Sequence, residues 1–456
     1  MGQIATAGGT AAAASPGLPG GGSGGTAGAV VAATAPISNA PATRAGAPAT
    51  EAPSDAWTTA DVMVEKLIAW RVARVYGIPG DGIAGLIEAL RKRADRIQFV
   101  QVRHEEAAAF MAAAHAKYTG DLGACIATTG PGAVHLLNGL YDAKCDGAPV
   151  IALTGSTYHD MGGTHHTQDV DLVSLFKDVA LYDELVLGPA HAMTVTDLAC
   201  RTALAQRGVA HLSVPIDIQG LKVAEEKVSQ PKGKSRAMSS FMPLSAELPA
   251  DDQLRAAAEL LNAGKRTAIL VGRGALGARA EVEQLADLLG APVAKALLGK
   301  AVLPDDSPYT TRTTGHLGTL PSQRAVERCD TMLIIGSTMP WLEFYPKTGQ
   351  AKVVQIDRDA TRIGLRCSVD VGLVGDSRAT LQRLLPLLHQ RADRSFLTEA
   401  QHGMTAWDHK LAAMENSDAS PMLPQVVPAV LRADVPRRDG PWGPAWPYAG
   451  GEPQMS

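Results

Sequence analysis

The first residues with chemistry to offer are the two carboxylates of "RHEE" (103–106). They follow "IQFVQV" (97–102), an apolar run that predicts a strand. A carboxylate at the carboxyl end of a parallel strand lies where α/β folds bind their ligands. The same pair would also suit a surface position or the first turn of the next helix, which favours negative charge. The tetrapeptide alone leaves both interpretations open.

Two further motifs contain glycines that could approach a phosphate or a metal. "GIPGDG" (77–82) contains a Gly-Asp-Gly triplet, which one enzyme family combines with a later Asn to hold magnesium diphosphate. The next Asn after Gly82 is Asn138, too distant for that motif, so Asp81 is interpreted as a helix-start residue. "TTGPGAVHLLNGLYDA" (128–143) brings backbone N–H groups and a helix start to the sheet edge. A tight strand-to-helix connection would look the same.

The third glycine motif is "GRGALG" (272–277), a G-x-G-x-x-G that follows the strand-like "RTAILVG". A dinucleotide site would require an acidic residue about 20 positions further on to bind a ribose. That region reads "PVAKALLGK" and contains no acid, which argues against a nicotinamide dinucleotide. The glycines still indicate a close backbone approach to a helix or a cofactor.

These motifs lie within two series of alternating strand and helix patterns. The predicted strands are apolar throughout, as expected when both faces of a sheet are covered. Such alternation predicts two α/β domains in series, each a doubly wound parallel sheet. The predicted organisation is a disordered low-complexity tail (1–56), a first domain (57–225), a linker (226–245), a central domain (246–395) and an aberrant, truncated C-terminal tail (396–456).

Bulk composition excludes several classes of function. The 456 residues carry a formal charge of −4, whereas nucleic-acid binders usually present a basic face. The five cysteines form no Cys-x-x-Cys pair, which favours a reduced, cytoplasmic protein without a thiolate metal site. No apolar run approaches the ~20 residues that a membrane-spanning helix needs. We therefore expect a soluble protein with no transmembrane segment and no nucleic-acid partner.

Taken together, the motifs resemble the thiamine-diphosphate enzymes. The order "GIPGDG", "RHEEAAAF", "TTGPGAVHLLNGLYDA", "PVIALTG", "TQDVDLVSLF" is similar to their pyrimidine-binding domain, and the second unit to their central domain. "LLGKAVLPDDSPY", "VVQIDRDATRIG" and "VGLVGDSRATLQRLLPLL" look most like pyruvate oxidase, in its quinone-dependent pyruvate dehydrogenase branch. The resemblance covers about residues 58 to 430.

That resemblance implies an activity and partners. It implies a homodimer or homotetramer that uses thiamine diphosphate, Mg²⁺ and FAD to convert pyruvate, or a related 2-oxoacid, into acetate and CO₂. Electrons would pass to a quinone or to O₂, and relatives of this kind can associate peripherally with membranes. Two alternatives remain open: an acetolactate-synthase-like carboligase, and a non-catalytic subunit that pairs with a separate diphosphate-binding chain.

The resemblance also implies roles for individual residues. Glu105 matches the catalytic glutamate, which hydrogen-bonds N1′ of the cofactor's aminopyrimidine. The positions matching the cofactor and substrate cleft are Pro79, Gly80, Gly130, Asn138 and Gln168. The positions matching FAD contacts are Thr314, Gly315, His316, Leu317, Ser337, Thr338, Met339, Pro340, Trp341 and Asp357. A central domain that keeps the fold without the flavin is the alternative. Thr167 and Asp169 replace the Phe and Glu that often flank this Gln in relatives, which leaves the substrate open.

In the family, the Mg²⁺ ligands come from a second Gly-Asp-Gly in a third domain, and residues 391–456 contain no such triplet. No metal ligand is therefore assigned in this chain. We expect the chain alone to bind thiamine diphosphate weakly and to be inactive. A frameshift, a truncated gene model or a split gene would each account for the pattern.

Overall fold

The structure is a computed structural model that describes residues 54–225, 240 and 246–434, with side chains described as far as residue 431. The predicted N-terminal tail and the predicted linker fall almost wholly outside the described residues, as does the sequence after residue 434.

The first domain is built on a sheet of six parallel strands in the order β2-β1-β3-β4-β6-β5. The strands are β1 (Arg74–Gly77), β2 (Gln98–Gln101), β3 (Gly123–Ala127), β4 (Val150–Ser156), β5 (Ala180–Leu185) and β6 (Val209–Pro215). The helices are α1 (Thr59–Ala69), α2 (Ala84–Arg91), α3 (Glu105–Thr119), α4 (Pro131–His135), α5 (Leu137–Asp146), α6 (Leu172–Phe176), α7 (Pro189–Gln206) and α8 (Ile216–Gln219). Each strand is followed by a helix that returns the chain to the other end of the sheet, so neighbouring strands run parallel.

The second domain also has six parallel strands, in the order β12-β11-β10-β7-β8-β9. The strands are β7 (Thr267–Val271), β8 (Val293–Lys295), β9 (Thr310–Thr313), β10 (Thr331–Ile335), β11 (Lys352–Asp357) and β12 (Val371–Val374). The helices are α9 (Asp251–Ala263), α10 (Arg279–Leu289), α11 (Leu320–Arg328), α12 (Ser377–Leu384), α13 (Ser395–Glu415) and α14 (Val426–Asp434). Read from β9, this order is 3-2-1-4-5-6, the order of dinucleotide-binding folds. The predicted fold class, two doubly wound parallel sheets in series, is confirmed.

Each sheet is covered on both faces by apolar side chains. In the first domain, one core cluster packs beneath α1, α2 and α7, and a second, rich in alanine, packs beneath α3 and α5. The central strands β3 and β7 are buried at every residue. Small alanines let helix α3 approach strand β3 closely, and a Cβ added at Gly123 would lie 2.2 Å from the carbonyl oxygen of Ala112. Helix α3, whose first residue is Glu105, is thus held on the sheet by dense packing.

Helix boundaries follow from local residue chemistry. Helix α1 begins with a capping box in which Thr58 and Asp61 bond each other's backbone N–H groups. Helix α3 begins directly after His104, whose side chain accepts from the N–H of Glu106. It ends at Gly120 in the left-handed conformation. Glu105 is therefore the first residue of a well-bounded helix.

Three features differ from the simple sequence reading. The partly exposed strands β5 and β9 lie at the sheet edges and lack the continuous apolar pattern of buried strands. Helix α12 ends before Pro386, which lacks an N–H, although the helical pattern of "SRATLQRLLPLLHQ" (377–390) predicts that it continues to residue 390. Helices α13 and α14 occupy part of the predicted C-terminal tail. No described helix has the length and apolar character needed to cross a bilayer.

Candidate functional site

The first sheet reverses its winding between β1 and β3, which are hydrogen-bonded neighbours. Open α/β sheets bind ligands in the crevice at the carboxyl ends of the strands at such a switch point. The turns that follow the two strands here are the predicted motifs "GIPGDG" and "TTGPG". Both glycine motifs therefore meet at one edge of the sheet.

Glu105 lies at this edge, at the start of α3. Its side chain is 13% exposed, and Oε2 lies 3.0 Å from Nδ1 of His135, the last residue of α4. This hydrogen bond joins the end of α4 to the first residue of α3. A Cβ added at Gly132 would lie 3.2 Å from Oε1 of Glu105 and 2.7 Å from Cγ2 of Thr128. The Gly-Pro-Gly turn thus passes directly beside the carboxylate.

Gly130 and Gln168 form the second close contact of the site. Gly130 has φ +56°, and a Cβ added there would lie 2.7 Å from the carbonyl oxygen of Gln168. Gln168 itself has φ +61°, which is uncommon for a residue with a side chain. The Thr129 hydroxyl donates to Oε1 of Gln168 at 2.6 Å, so the amide nitrogen is the donor that Gln168 presents. The loop after β4 is thereby held on the turn after β3.

The turn after β1 is locked to the same segment. Oδ1 of Asp81 accepts from the N–H of Gly82 at 2.8 Å and from the Thr128 hydroxyl at 3.4 Å. Asp81 begins a short 3₁₀ turn, so its carboxylate is engaged within the backbone turn. A Cβ added at Gly80 would lie 2.6 Å from Cβ of Thr128, and Pro79 is exposed in the same turn.

Asn138 bonds Glu106, the neighbour of Glu105, rather than Glu105 itself. Its Nδ2 donates to Oε1 of Glu106 at 2.5 Å, which ties α5 to the first turn of α3. The structure thus brings Gly80, Gly130, Gln168 and Glu105 to one edge, whereas Asn138 contacts the neighbour of Glu105. His135, Thr128 and Thr129 were missed by the sequence reasoning, although all three lie inside "TTGPGAVH".

The second sheet has its own switch point, between β7 and β10. Two turns interlock there: a Cβ added at Gly272 would lie 2.3 Å from the carbonyl oxygen of Gly336, which has φ +57°. The glycines of "GRGALG" therefore allow backbone to approach backbone. Strand β8 ends in the fully buried Lys295, which is paired with Asp305, rather than in a ribose-binding acid. The buried Lys295 thus stands at the strand end where a dinucleotide-binding fold would carry an acidic residue.

Basic side chains converge on this second edge. Arg273 lies between two glycines of the turn, and its Nη1 is buried without a hydrogen-bond partner among the described residues. Burial lowers the pKa of Arg273, with a smaller contribution from Arg362. Burial lowers the pKa of Arg207, from the first domain, to about 10, and the nearby Arg273 and Arg358 contribute. Charges of like sign held together in this way favour an anion.

Arg273 also contacts the first domain. A Cβ added at Gly147, which follows α5, would lie 3.1 Å from Nη2 of Arg273. Arg362 and Arg366 donate to the side chain and the carbonyl of Thr338, at 3.4 and 3.3 Å. The sequence analysis did not identify these arginines as candidate binding residues. The signal that could have pointed to them was Arg273, between the first two glycines of "GRGALG".

An aromatic surface lies beside the arginines. The His316 ring packs edge-on against Trp341, with centroids 4.6 Å apart, and against Phe344 at 5.3 Å. Gly315 has φ +101°, and a Cβ added there would lie 3.1 Å from Cδ1 of Trp341. The predicted segments 314–317 and 337–341 therefore lie together, with Leu317 and Trp341 exposed.

Asp357 ends strand β11 at the same edge. It accepts from the N–H of Asp359 at 3.1 Å, and burial raises its pKa. Among the predicted flavin-binding residues, Thr314, Ser337 and Met339 are buried, and Pro340 is exposed. The second edge thus combines a carboxylate, several guanidinium groups and a flat apolar surface.

Comparison with known proteins identifies both domains. The family model "Thiamine pyrophosphate enzyme, N-terminal TPP binding domain" matches residues 57–175. The model of the central domain of the same enzymes matches residues 254–384.

Individual relatives agree. YdaP of Bacillus subtilis, whose name describes it as thiamine pyrophosphate-containing, is 38% identical over 82% of this chain and 64% of its own length. Pyruvate oxidase of Lactiplantibacillus plantarum is 32% identical over 82% of this chain and 61% of its own length. The chloroplastic acetolactate synthase of Arabidopsis thaliana is 30% identical over 75% of this chain and 51% of its own length. The chain thus spans between half and two thirds of the length of these three relatives.

Proposed function

This chain belongs to the thiamine pyrophosphate enzyme family, and from that premise we propose that it serves the oxidative decarboxylation of pyruvate or a related 2-oxoacid. The products are CO₂ and acetate, and the electrons pass through FAD to a quinone or O₂. The observation that carries the proposal is the largely buried Glu105 carboxylate at the switch point of the first sheet.

The first edge fits the aminopyrimidine of thiamine diphosphate. Glu105 presents a carboxylate in a pocket whose walls, at Gly132 and Gly130, leave no room for a Cβ. Such a carboxylate holds a proton for a ring nitrogen and returns it, the general acid–base role. The bound cofactor supplies the carbanion chemistry that releases CO₂ from a 2-oxoacid. Gln168 offers its amide N–H to the substrate, and Thr129 fixes the orientation of that amide.

The second edge fits FAD. The buried, unpartnered Nη1 of Arg273 suits a diphosphate oxygen, since guanidinium groups bind phosphates through charge-assisted hydrogen bonds. The exposed Trp341, with His316 packed edge-on against it, provides an aromatic ring against which a ligand ring system can pack, and Asp357 can accept from a ribose hydroxyl. Mg²⁺ would accompany the diphosphate of thiamine, and no ligand for it is assigned among the described residues.

We also propose that two copies of the chain associate through α3 and α5. Helices α3, α4 and α5 carry exposed apolar side chains, among them Phe110, Met111, Val134 and Tyr141, on the side of the domain that bears Glu105 and His135. An apolar surface of this kind on a folded domain marks a protein interface. Sedimentation of the chain and of its Phe110→Asp variant tests this, and an unchanged sedimentation coefficient would contradict it.

The main test combines the purified chain with thiamine diphosphate, Mg²⁺, FAD and pyruvate, first by itself, where we expect no turnover, and then with the diphosphate-binding domain of a relative added as a separate chain. Pyruvate-dependent reduction of an electron-accepting dye, with acetate as product, supports the proposal. Acetolactate as the product would instead support the carboligase alternative, which the match to acetolactate synthases favours. Turnover that begins only after a second, diphosphate-binding chain is added would assign this chain as a subunit. Flavin absorbance of the purified protein tests the FAD assignment separately.

A further inference from the structure

We propose that His104, Glu105 and His135 form a binding site for a transition-metal cation of the Zn²⁺ class, separate from any Mg²⁺ that accompanies a diphosphate. Occupancy of this site takes the Glu105 carboxylate away from the aminopyrimidine, so the cation and thiamine diphosphate exclude each other. The site stands on geometry alone, whereas the exclusion rests on the proposed function.

The three side chains already lie at near-ligand distances. One ligand atom from each lies within 4.8 Å of the others, the one such trio within the described ranges of the chain. Nδ1 of His135 and Oε2 of Glu105 are 3.0 Å apart, and the two imidazole rings stack with centroids 4.4 Å apart. Tetrahedral Zn²⁺, with bonds of about 2.0–2.2 Å, places its ligand atoms roughly 3.3 Å apart.

Only a small movement is needed to bring the three ligand atoms to metal-binding distance, and it involves exposed side chains. His104 and His135 are 52% and 46% exposed, so their rings can rotate between rotamers without displacing the backbone. An approach of roughly 1 to 1.5 Å by the third ligand atom completes the trio. The helix N-terminus at Glu105 is unfavourable for a cation, and the carboxylate offsets it.

The chemistry of the ligands selects the metal. Two imidazoles and one carboxylate suit Zn²⁺ and its neighbours in the first transition row, whereas Mg²⁺ and Ca²⁺ prefer oxygen ligands alone. Three protein ligands leave a fourth position open to water or to an incoming ligand.

Exclusion follows from the position of the carboxylate. Oε1 and Oε2 of Glu105 face Gly132 and His135, and Glu105 is the largely buried member of the trio. A cation bound there occupies the oxygens that would otherwise hold a proton for the aminopyrimidine. The cluster is therefore an inhibitory site within the same pocket.

The first experiment is a calorimetric titration of Zn²⁺ into the metal-free, untagged chain, with Mg²⁺ as the comparison. We expect one saturable Zn²⁺ site per chain that 1 mM Mg²⁺ does not fill. The variants His104→Phe, His135→Phe and Glu105→Gln keep the side-chain shape and should each weaken binding at least about tenfold. His191→Asn, on α7 of the same domain, is the matched control and should bind as the parent does. Equal affinities for all four variants, or no saturable Zn²⁺ binding, would overturn the site.

The second experiment titrates thiamine diphosphate with and without saturating Zn²⁺, with thermal unfolding confirming that every variant is folded. Weaker thiamine diphosphate binding in Zn²⁺, relieved in His104→Phe, supports exclusion. Unchanged binding in Zn²⁺ overturns it. Zn²⁺ binding without any thiamine diphosphate binding, even after a diphosphate-binding domain of a relative is added, would leave the metal site standing and remove the proposed function instead.

Discussion

The two domains share one architecture but present different chemistry at their switch points. At the first edge, Glu105 contacts His135 and Gln168 accepts from the Thr129 hydroxyl. The Thr128 hydroxyl donates to Asp81 in the neighbouring turn. At the second edge, Arg273 is buried with an unpartnered nitrogen beside an exposed aromatic surface. The polar groups of the first edge are thus paired within the protein. At the second edge Asp146 and Asp357 lie near Arg273, but one of its nitrogens has no hydrogen-bond partner among the described residues.

This difference explains why similar folds suit different ligands. A neutral heteroaromatic ring needs a proton donor and acceptor in a tight pocket, which Glu105 and the adjacent glycines provide. A nucleotide needs cationic groups for its phosphates and a flat surface for its rings, which the second domain provides. Fold alone therefore does not decide function at either edge, and the side chains in the turns do.

The largest effect is expected from Glu105→Gln. Glutamine keeps the shape but cannot exchange a proton, so 2-oxoacid turnover should fall by about 10²–10⁴-fold, the usual contribution of a general acid–base group. Dye reduction measures the rate, and flavin absorbance should stay unchanged because the second edge is untouched. Glu106→Gln is the neighbouring control, and a similar loss there would contradict the assignment to Glu105.

The second prediction concerns Arg273→Met. Removing a buried guanidinium that binds a phosphate should weaken FAD binding by about 10–100-fold, as expected for a charge-assisted hydrogen bond of about 1.5–3 kcal/mol. Quenching of flavin fluorescence gives the affinity. Arg279→Met, an exposed arginine on α10, is the matched control. Unchanged FAD affinity in Arg273→Met would show that Arg273 does not bind a phosphate of FAD.

The third prediction tests how tightly the first edge is packed. Gly130→Ala places a Cβ against the backbone of Gln168 at a residue with φ +56°, which should cost about 1–3 kcal/mol of folding free energy. Gly120→Ala has similar backbone strain, at φ +76°, but no atom within 4 Å, so its cost should be smaller. Urea unfolding of both variants separates steric overlap from strain. Equal losses of folding free energy in the two variants would show that the turn at Gly130 shifts to accommodate the added Cβ.

The smallest effect is a pH dependence that distinguishes the two sheets. His211 is fully buried between Asp183 and Thr154, with hydrogen bonds of 2.6 and 2.8 Å. Burial lowers its pKa despite the nearby Asp183, so the folded chain binds fewer protons than the unfolded chain below about pH 6.5. Stability is therefore fully present above that pH and falls as the pH drops towards the folded-state pKa.

Glutamine at this position can keep both hydrogen bonds without titrating. Thermal unfolding of the parent and of His211→Gln between pH 7 and 5 should show a shallower decline for the variant. The described histidines of the second domain are all exposed. The loss of stability caused by protonating a buried histidine is therefore expected from the first domain. Parallel declines for both proteins would assign the acid sensitivity to other groups.

Periodicity predicted much of the fold, and it failed where burial was incomplete. Helix α3 occupies the residues expected from "EEAAAFMAAAHAKYT", because alanine-rich helices with clear caps have strong local signals. Strand β9, with two partly exposed residues of four, gave no such signal. At the site, "RHEE" marked Glu105, but no local pattern could place His135 beside it, since that contact depends on how α4 meets α3. Arg207 and Arg273 converge from different domains, and single motifs do not encode such distant pairs.

The arginine cluster should also make the stability of the folded chain depend on the anions in the buffer. Any small anion that binds between Arg207 and Arg273 binds only when both domains are folded and adjacent, so it stabilises them jointly. At a concentration 100 times its dissociation constant, such an anion adds about 2.7 kcal/mol. We therefore expect melting temperatures measured in phosphate, sulfate and chloride buffers to differ, because each anion would fill the cluster to a different extent.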